Sequence, residues 1–185
     1  MDNGNGTGAV LWFSMLGQSL QPQSLPARSW AVTWYGRRVP STPSDYRNAA
    51  LERMEDAGQL KRIERYPLAM YAAGVAVECM LRAFRHPDRE HAAHHDVVGH
   101  LASCDHERLG DRAWMKLRGP VQTVHLLWLN NFRYSDESRM RRHLNDLKYY
   151  DGLKRGSDTL KVACIELVDA ALAIVTVGDE RWRNP

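Results

Sequence analysis

The sequence predicts an all-α fold, an up-and-down helical bundle of four main helices plus one or two short ones. Apolar residues recur at helical spacing in four separate segments, Ser and Pro residues stand at the starts of these segments, and almost no stretch has the alternation of a strand. The 185 residues are 44% apolar and 25% charged. These values are typical of one globular domain and exclude a collagen-like, fully disordered or membrane-embedded chain.

The first two long helices are predicted to follow Ser44, a good N-cap, and to open at Pro67, where the missing N–H breaks no helical bond. The first has one apolar stripe, and the second has two, so we expect the second to be central in the bundle. Its stripes are Leu68, Tyr71, Ala72, Val75, Cys79 and Ala83, and Ala69, Ala73, Ala76, Met80 and Phe84.

The other two long helices are expected on either side of a charged and aromatic stretch at 132–156. A polar, histidine-rich connection, with one short helix near residues 96–103, comes before the third long helix. The third has its apolar stripe between Trp114 and Trp128. For the last, Ser157 is the predicted N-cap and Gly178 the predicted end.

These elements divide the chain into three parts. Residues 1–43 are rich in Gly, Ser, Gln and Pro yet contain Trp12, Trp30 and Trp34, so we predict a poorly ordered or loosely docked N-terminal extension. Residues 44–178 form the predicted bundle, and residues 179–185 form a C-terminal tail.

Charge, cysteine content and the lengths of apolar segments indicate which partners and which cellular location to expect. The formal net charge of +3 permits a nucleic-acid partner without requiring one. The three cysteines are far apart and are predicted to be reduced thiols in a cytoplasmic protein. No apolar segment approaches the ~18 residues of a spanning helix. No basic residue precedes Arg28, so we predict neither export nor membrane insertion.

Six of the eight histidines lie between residues 86 and 106. A zinc site would need three or four imidazoles or thiolates at tetrahedral geometry. Neither a C-x-x-C pair nor an H-E-x-x-H motif is present. This favours solvated histidines over a metal site, and we predict no metal and no cofactor.

Glu78 is a charged residue inside the apolar run 71–81. A carboxylate there needs a partner or a polar cleft. One interpretation is an ion pair with Arg82, one helical turn away. The other is a carboxylate that orients an Arg or a His from another helix.

Residues 133–155 contain seven basic and four acidic residues. Basic groups next to aromatic rings can hold phosphates and stack the bases of single-stranded RNA. The alternative, a solvated helix face, is the more common one. The candidate RNA-binding residues are Arg133, Tyr134, Arg141 and Arg142.

Arg and His side chains near one another can cleave RNA without a metal. A neutral imidazole removes the proton of a ribose 2′-hydroxyl, and a guanidinium stabilises charge on the phosphate. Arg139 precedes His143 by four positions, which places both on one helical face. Arg89 precedes His94 by five positions and His95 by six.

Residues 71–83 resemble the second helix of HEPN-domain proteins, in which a run of small residues carries one Glu and ends in a Leu-Lys/Arg-Ala step. The resemblance covers about residues 44–177. The further matching positions, in the order of the family, are Asp56, Ala57, Tyr66, His95, Asp96, Val97, Trp128, Phe132, Arg133 and Tyr134.

The resemblance implies an up-and-down bundle, frequently a homodimer, that associates with RNA in toxin–antitoxin or defence systems, often beside a nucleotidyltransferase-like partner protein. Active members are metal-independent endoribonucleases in which four to six residues separate an Arg and a His near the start of a late helix and facing the dimer cleft. Arg139 and His143 match that place, although only three residues separate them, and Glu78 matches the acid of the second helix.

Two alternatives remain open from the sequence. Arg89 with His94 or His95 is the second choice of catalytic pair, since its spacing fits but it follows the second helix. The chain could also be a catalytically inactive HEPN-like dimerisation or partner-binding module.

Overall fold

The computed structural model describes residues 42–85, 95–153 and 156–184, and these residues are mostly helical. Four helices are long, as the sequence predicts: α1 (Pro43–Arg62), α2 (Tyr66–Ala83), α5 (Asp111–Leu127) and α7 (Thr159–Arg183). Within these three ranges there is no strand, only one isolated antiparallel bridge between Arg85 and Cys104. The all-α class is therefore confirmed. Across the same ranges, no helix has both the length and the apolarity needed to span a bilayer.

The short helices outnumber the one or two predicted. They are α3 (Val97–Ala102), α4 (His106–Leu109), α6 (Glu137–Asp146) and two 3-10 helices, Asn130–Tyr134 and Tyr149–Gly152. Segments this short are not stably helical in isolation. The three short α-helices each begin after an aspartate whose carboxylate accepts backbone N–H groups, at Asp96, Asp105 and Asp136. These caps, together with packing on the long helices, stabilise them.

The long helices begin one or two residues from the predicted positions. Thr42, not Ser44, caps α1, because its hydroxyl accepts the N–H of Asp45 while the Asp45 carboxylate accepts the N–H of Thr42 at 2.8 Å. This reciprocal pair satisfies two free donors at once. Asp158, not Ser157, caps α7, through bonds from two backbone N–H groups.

Gly178 does not end α7, contrary to the prediction, and the helix continues into the predicted tail as far as Arg183. A Cβ at Gly178 would lie 2.5 Å from the Met80 side chain, so the glycine allows α7 and α2 to approach closely. At the next residue, the buried carboxylate of Asp179 accepts a 2.8 Å bond from Arg47 of α1. These tertiary contacts offset the weak helix propensity of glycine.

The core lies around α2, which packs against α1 and α7, and α5 also packs against α7. Trp128, just after α5, is buried against Gly74 of α2, where any Cβ would overlap the indole ring. Of the predicted extension 1–43, residues 1–41 lie outside the described residues.

Candidate functional site

The carboxylate of Glu78 is the centre of a buried polar cluster on α2. Glu78 is 4% exposed. Its Oε2 atom lies 2.8 Å from Nδ1 of His95, and its Oε1 atom contacts the guanidinium of Arg82. Nε2 of His100 lies 3.8 Å from the same Oε1. Both interpretations of Glu78 therefore hold, since it pairs with Arg82 along its helix and with a histidine outside it.

The chain after α2 brings the two histidines to Glu78. The backbone N–H of Asp105, beyond α3, donates to the carbonyl of Phe84 at 2.7 Å, which fixes the end of α3 to the end of α2. At the other end of α3, Asp96 accepts the N–H of Val98 and starts the helix directly after His95. The α3 helix therefore lies against α2, with its histidines beside the carboxylate.

The imidazole of His95 combines a fixed orientation with access to solvent. Its side chain is 46% exposed, and its ring stands edge-on to Trp128 with centroids 6.4 Å apart. Because an ionised carboxylate only accepts hydrogen bonds, Nδ1 carries the proton that it donates to Glu78. In the neutral imidazole with this tautomer, the other nitrogen, Nε2, has a lone pair that can accept a proton from a substrate.

His100 forms the buried side of the cluster. It is 2% exposed, and its Nε2 atom has no hydrogen-bond partner in the described part of the chain. Burial lowers its pKa, and the positive charge of Arg82 lowers it further, while the charge of Glu78 acts in the opposite direction. His100 is therefore a neutral imidazole near pH 7.

His100 is not among the site residues predicted from the sequence. The helix predicted near residues 96–103 could have indicated its burial. In such a helix His100 shares a face with the apolar residues Val97 and Leu101, and all three are buried. A histidine on the apolar face of a short helix indicates a buried imidazole.

A second candidate site is a cleft beside α6, which we call the α6 cleft. Its volume is about 660 Å³, and it is lined by Leu129, Asn131, Phe132, Ser135, Arg139, Arg142, His143, Asn145 and Asp146. The guanidiniums of Arg139 and Arg142 are exposed, and within the described ranges neither forms an ion pair. The cleft can therefore receive an anionic group.

His143 lies in the α6 cleft but is poorly placed for proton transfer through Nε2. That atom is buried and has no hydrogen-bond partner in the part of the chain described. The ring packs edge-on against Phe132 with centroids 5.7 Å apart. Burial lowers the pKa of His143, with Asp146 acting against it. The ring is neutral, and in this arrangement its Nε2 does not reach solvent.

Among the described residues, Glu78 forms no ion pair with the other two residues of the first predicted catalytic set. Arg139 and His143 share α6, while Glu78, on α2, has its charged contacts with α2 itself and with the residues of and before α3. Of the second set, His95 contacts Glu78, whereas Arg89 and His94 lie outside the described residues.

The predicted RNA-binding residues have two kinds of surroundings. The guanidinium of Arg141 bonds the carboxylate of Asp158 at 2.9 Å, and this bond raises the pKa of Arg141 and lowers that of Asp158. Arg141 thus joins α6 to the cap of α7, and its charge is already neutralised. Arg133 lies over the ring of Tyr134, 4.6 Å from its centroid, and both side chains are exposed.

Within the three described ranges, no three His, Cys, Asp or Glu side chains converge as a group that could hold a metal ion. Comparison with protein-family models, with curated protein sequences and with solved structures finds no match. The case for a function therefore depends on the geometry of the Glu78 cluster and the α6 cleft.

Proposed function

We propose that this chain is a HEPN-like protein that binds RNA and cleaves it without a metal, in a toxin–antitoxin or defence setting. The observation that carries the proposal is the 2.8 Å contact between Glu78 and the half-exposed imidazole of His95. A histidine oriented by a carboxylate is the arrangement that general base catalysis requires. His95 replaces His143 as the proposed proton acceptor, because Nε2 of His143 is buried.

In the proposed reaction, Nε2 of His95 accepts the proton of a ribose 2′-hydroxyl. The 2′-oxygen forms a bond to the adjacent phosphorus, and the bond from phosphorus to the 5′-oxygen breaks. The leaving 5′-oxygen takes up a proton from water, and the hydroxide that remains takes the proton of the His95 imidazolium, which restores the neutral base. The products are a 2′,3′-cyclic phosphate and a 5′-hydroxyl, while the negative charge of Glu78 stabilises the imidazolium of His95.

The RNA strand would run from His95 into the α6 cleft, since the ring of His95 stands against Trp128 and the next residue, Leu129, lines that cleft. The free guanidiniums of Arg139 and Arg142 suit backbone phosphates. Tyr134, which is 73% exposed, offers a ring on which a base can stack, next to the charge of Arg133. These features support the RNA-binding part of the proposal.

The decisive experiment is a cleavage assay with single-stranded RNA in excess EDTA. We expect the wild type to produce 2′,3′-cyclic phosphate ends and His95→Ala to lose at least about 100-fold in rate, the usual contribution of a general base. His143→Ala tests the other histidine and should lose less rate than His95→Ala, because His143 lines the α6 cleft but does not take the proton. An inactive but folded wild type, or a greater loss in His143→Ala than in His95→Ala, would contradict the proposal.

A second candidate function is a catalytically inactive HEPN-like module that dimerises or binds a partner, such as a nucleotidyltransferase-like protein. It is favoured by exposed apolar residues at the junction of α1 and α2, where Ile63 is 68% and Leu68 40% exposed. Such a module would bind RNA or its partner equally well with and without the His95 imidazole.

A further inference from the structure

The indole of Trp128 and the imidazole of His95 lie next to each other against α2. Gly74 and Glu78 are one helical turn apart on the same face of that helix. Gly74 leaves room for the indole, because a Cβ at this position would overlap the ring. Glu78 contacts Nδ1 of His95 at 2.8 Å. The two rings therefore meet edge-on, with centroids 6.4 Å apart.

Two buried groups thus hold an imidazole whose own side chain is 46% exposed. Both Glu78 and Trp128 are buried. The planes of the indole and the imidazole are 81° apart, and edge-to-face contacts of this kind between rings are favourable. Because the indole is packed in the core, it cannot follow the imidazole if that ring rotates. The indole therefore limits the rotation of the His95 ring in addition to the contact with Glu78.

The last turn of α5 also contacts the residue that follows His95. Nδ1 of His125 lies 3.7 Å from Oδ1 of Asp96, whose carboxylate caps α3. The backbone N–H of Trp128 donates to the carbonyl of Val124 at 2.8 Å, so the indole is attached to that same turn. The end of α5 therefore holds the start of α3, next to His95.

The indole of Trp128 has an energetic cost that a smaller ring would avoid. Its Nε1 atom is buried and has no hydrogen-bond partner in the described part of the chain. A buried donor without a partner destabilises a fold, whereas phenylalanine fills an apolar site without a donor. Packing alone therefore does not explain the larger ring, and the contact with His95 gives it a role.

We propose that Trp128 is a positioning residue, whose indole keeps the imidazole of His95 against Glu78 with the proton on Nδ1. The inference rests on the proposed function, in which Nε2 of His95 accepts the proton of the 2′-hydroxyl. When the indole is smaller or displaced, the imidazole can turn away from Glu78, and the tautomer with the proton on Nε2 becomes populated. That tautomer cannot act as a base through Nε2, so the chemical step slows.

The first test measures the tautomer of His95 directly and needs no RNA. In the full chain labelled with ¹⁵N, the chemical shifts of the ring nitrogens show which one is protonated, at about pH 8, above the usual pKa of histidine. We expect the proton on Nδ1 in the wild type and a mixture of both tautomers in Trp128→Phe. Gly74→Ala should give such a mixture too, because its methyl group displaces the indole from the side of α2.

Trp114→Phe is the matched control for this test. Trp114 is also on α5, but its ring contacts the imidazole of His106, with centroids 4.3 Å apart. This variant should leave the nitrogen shifts of His95 unchanged. The dispersion of the same spectra shows whether each variant is folded. Unchanged shifts of His95 in folded Trp128→Phe or in folded Gly74→Ala would overturn the inference.

The second test separates the chemical step from RNA binding. Trp128→Phe should lower kcat for RNA cleavage at least about tenfold with little change in KM, since a misplaced base slows the reaction of bound RNA. A change in KM alone would overturn the inference. If the wild type holds the proton on Nδ1 and the variants lose this preference, but no RNA is cleaved, only the proposed cleavage fails. If the wild type cleaves RNA and both variants keep its kcat, only the inference about Trp128 fails.

Discussion

Glu78 and His95 are 17 residues apart in the sequence, yet Oε2 of Glu78 lies 2.8 Å from Nδ1 of His95. The contact orients a half-exposed imidazole with a buried carboxylate. The second carboxylate oxygen is occupied by Arg82, so Glu78 is fixed from both sides. A carboxylate held in this way can stabilise positive charge on His95 at the moment of proton transfer.

Substitution of Glu78 by Gln should lower the rate of RNA cleavage about 100-fold with little change in KM. The amide oxygen can still accept the Nδ1 proton of His95, but its lack of charge leaves the imidazolium unstabilised in the transition state. The measurement is kcat and KM with a fluorogenic RNA, with unfolding curves to show that the variant is folded. A variant with wild-type kcat would remove Glu78 from the proposed site.

The four long helices could be predicted because periodic apolar residues face the core of the bundle directly. Their ends could not be placed to the residue, because neighbouring side chains compete as caps, as Thr42 does with Ser44 and Asp158 with Ser157. The predicted end of α7 at Gly178 was wrong, because the tertiary contact with Met80 outweighs the tendency of glycine to end a helix.

Only part of the candidate site could be predicted from the sequence. Glu78 stands out in the sequence as a charge in an apolar run. Its partner His95 could only be one of several candidates, because no pattern in the sequence between α2 and α3 indicates which histidine lies against α2. The pairing of Arg141 with Asp158 depends on where α6 lies against α7, which spacing along the chain does not give.

Substitution by alanine should change the stability of the fold differently at two buried helical glycines. Gly74→Ala should destabilise the fold by about 1–3 kcal/mol, because the new methyl group overlaps the rigid indole of Trp128. Gly178→Ala should cost less than Gly74→Ala, because the Met80 side chain can rotate where an indole cannot and alanine is the better helix former. Urea unfolding of both variants checks this, and equal effects would contradict it.

Neighbouring arginines on α6 should contribute differently to RNA binding. Arg142→Ala should weaken binding and reduce the salt slope of the affinity by about one, since it removes a free charge from the α6 cleft. Arg141→Ala should leave the affinity unchanged, because Asp158 neutralises Arg141, and should cost less than about 1 kcal/mol of stability, as exposed pairs do. Fluorescence anisotropy at several salt concentrations measures the RNA affinity of both variants. A greater loss of affinity in Arg141→Ala than in Arg142→Ala would contradict the assignment of Arg142 to the RNA-binding cleft.

Stability should fall as the pH falls below about 6.5, the pKa of a histidine in the unfolded chain. Burial lowers the pKa of His100 and of His143 in the folded state, so the folded chain binds fewer protons than the unfolded chain in this range. Their contribution is fully present above about pH 6.5 and is lost below it. The free energy of unfolding in urea at pH 7.5 and 5.5 measures the loss. His100→Gln should reduce it, whereas the control His125→Gln, whose side chain is 55% exposed, should not. The same loss in all three proteins would show that His100 does not carry the pH dependence.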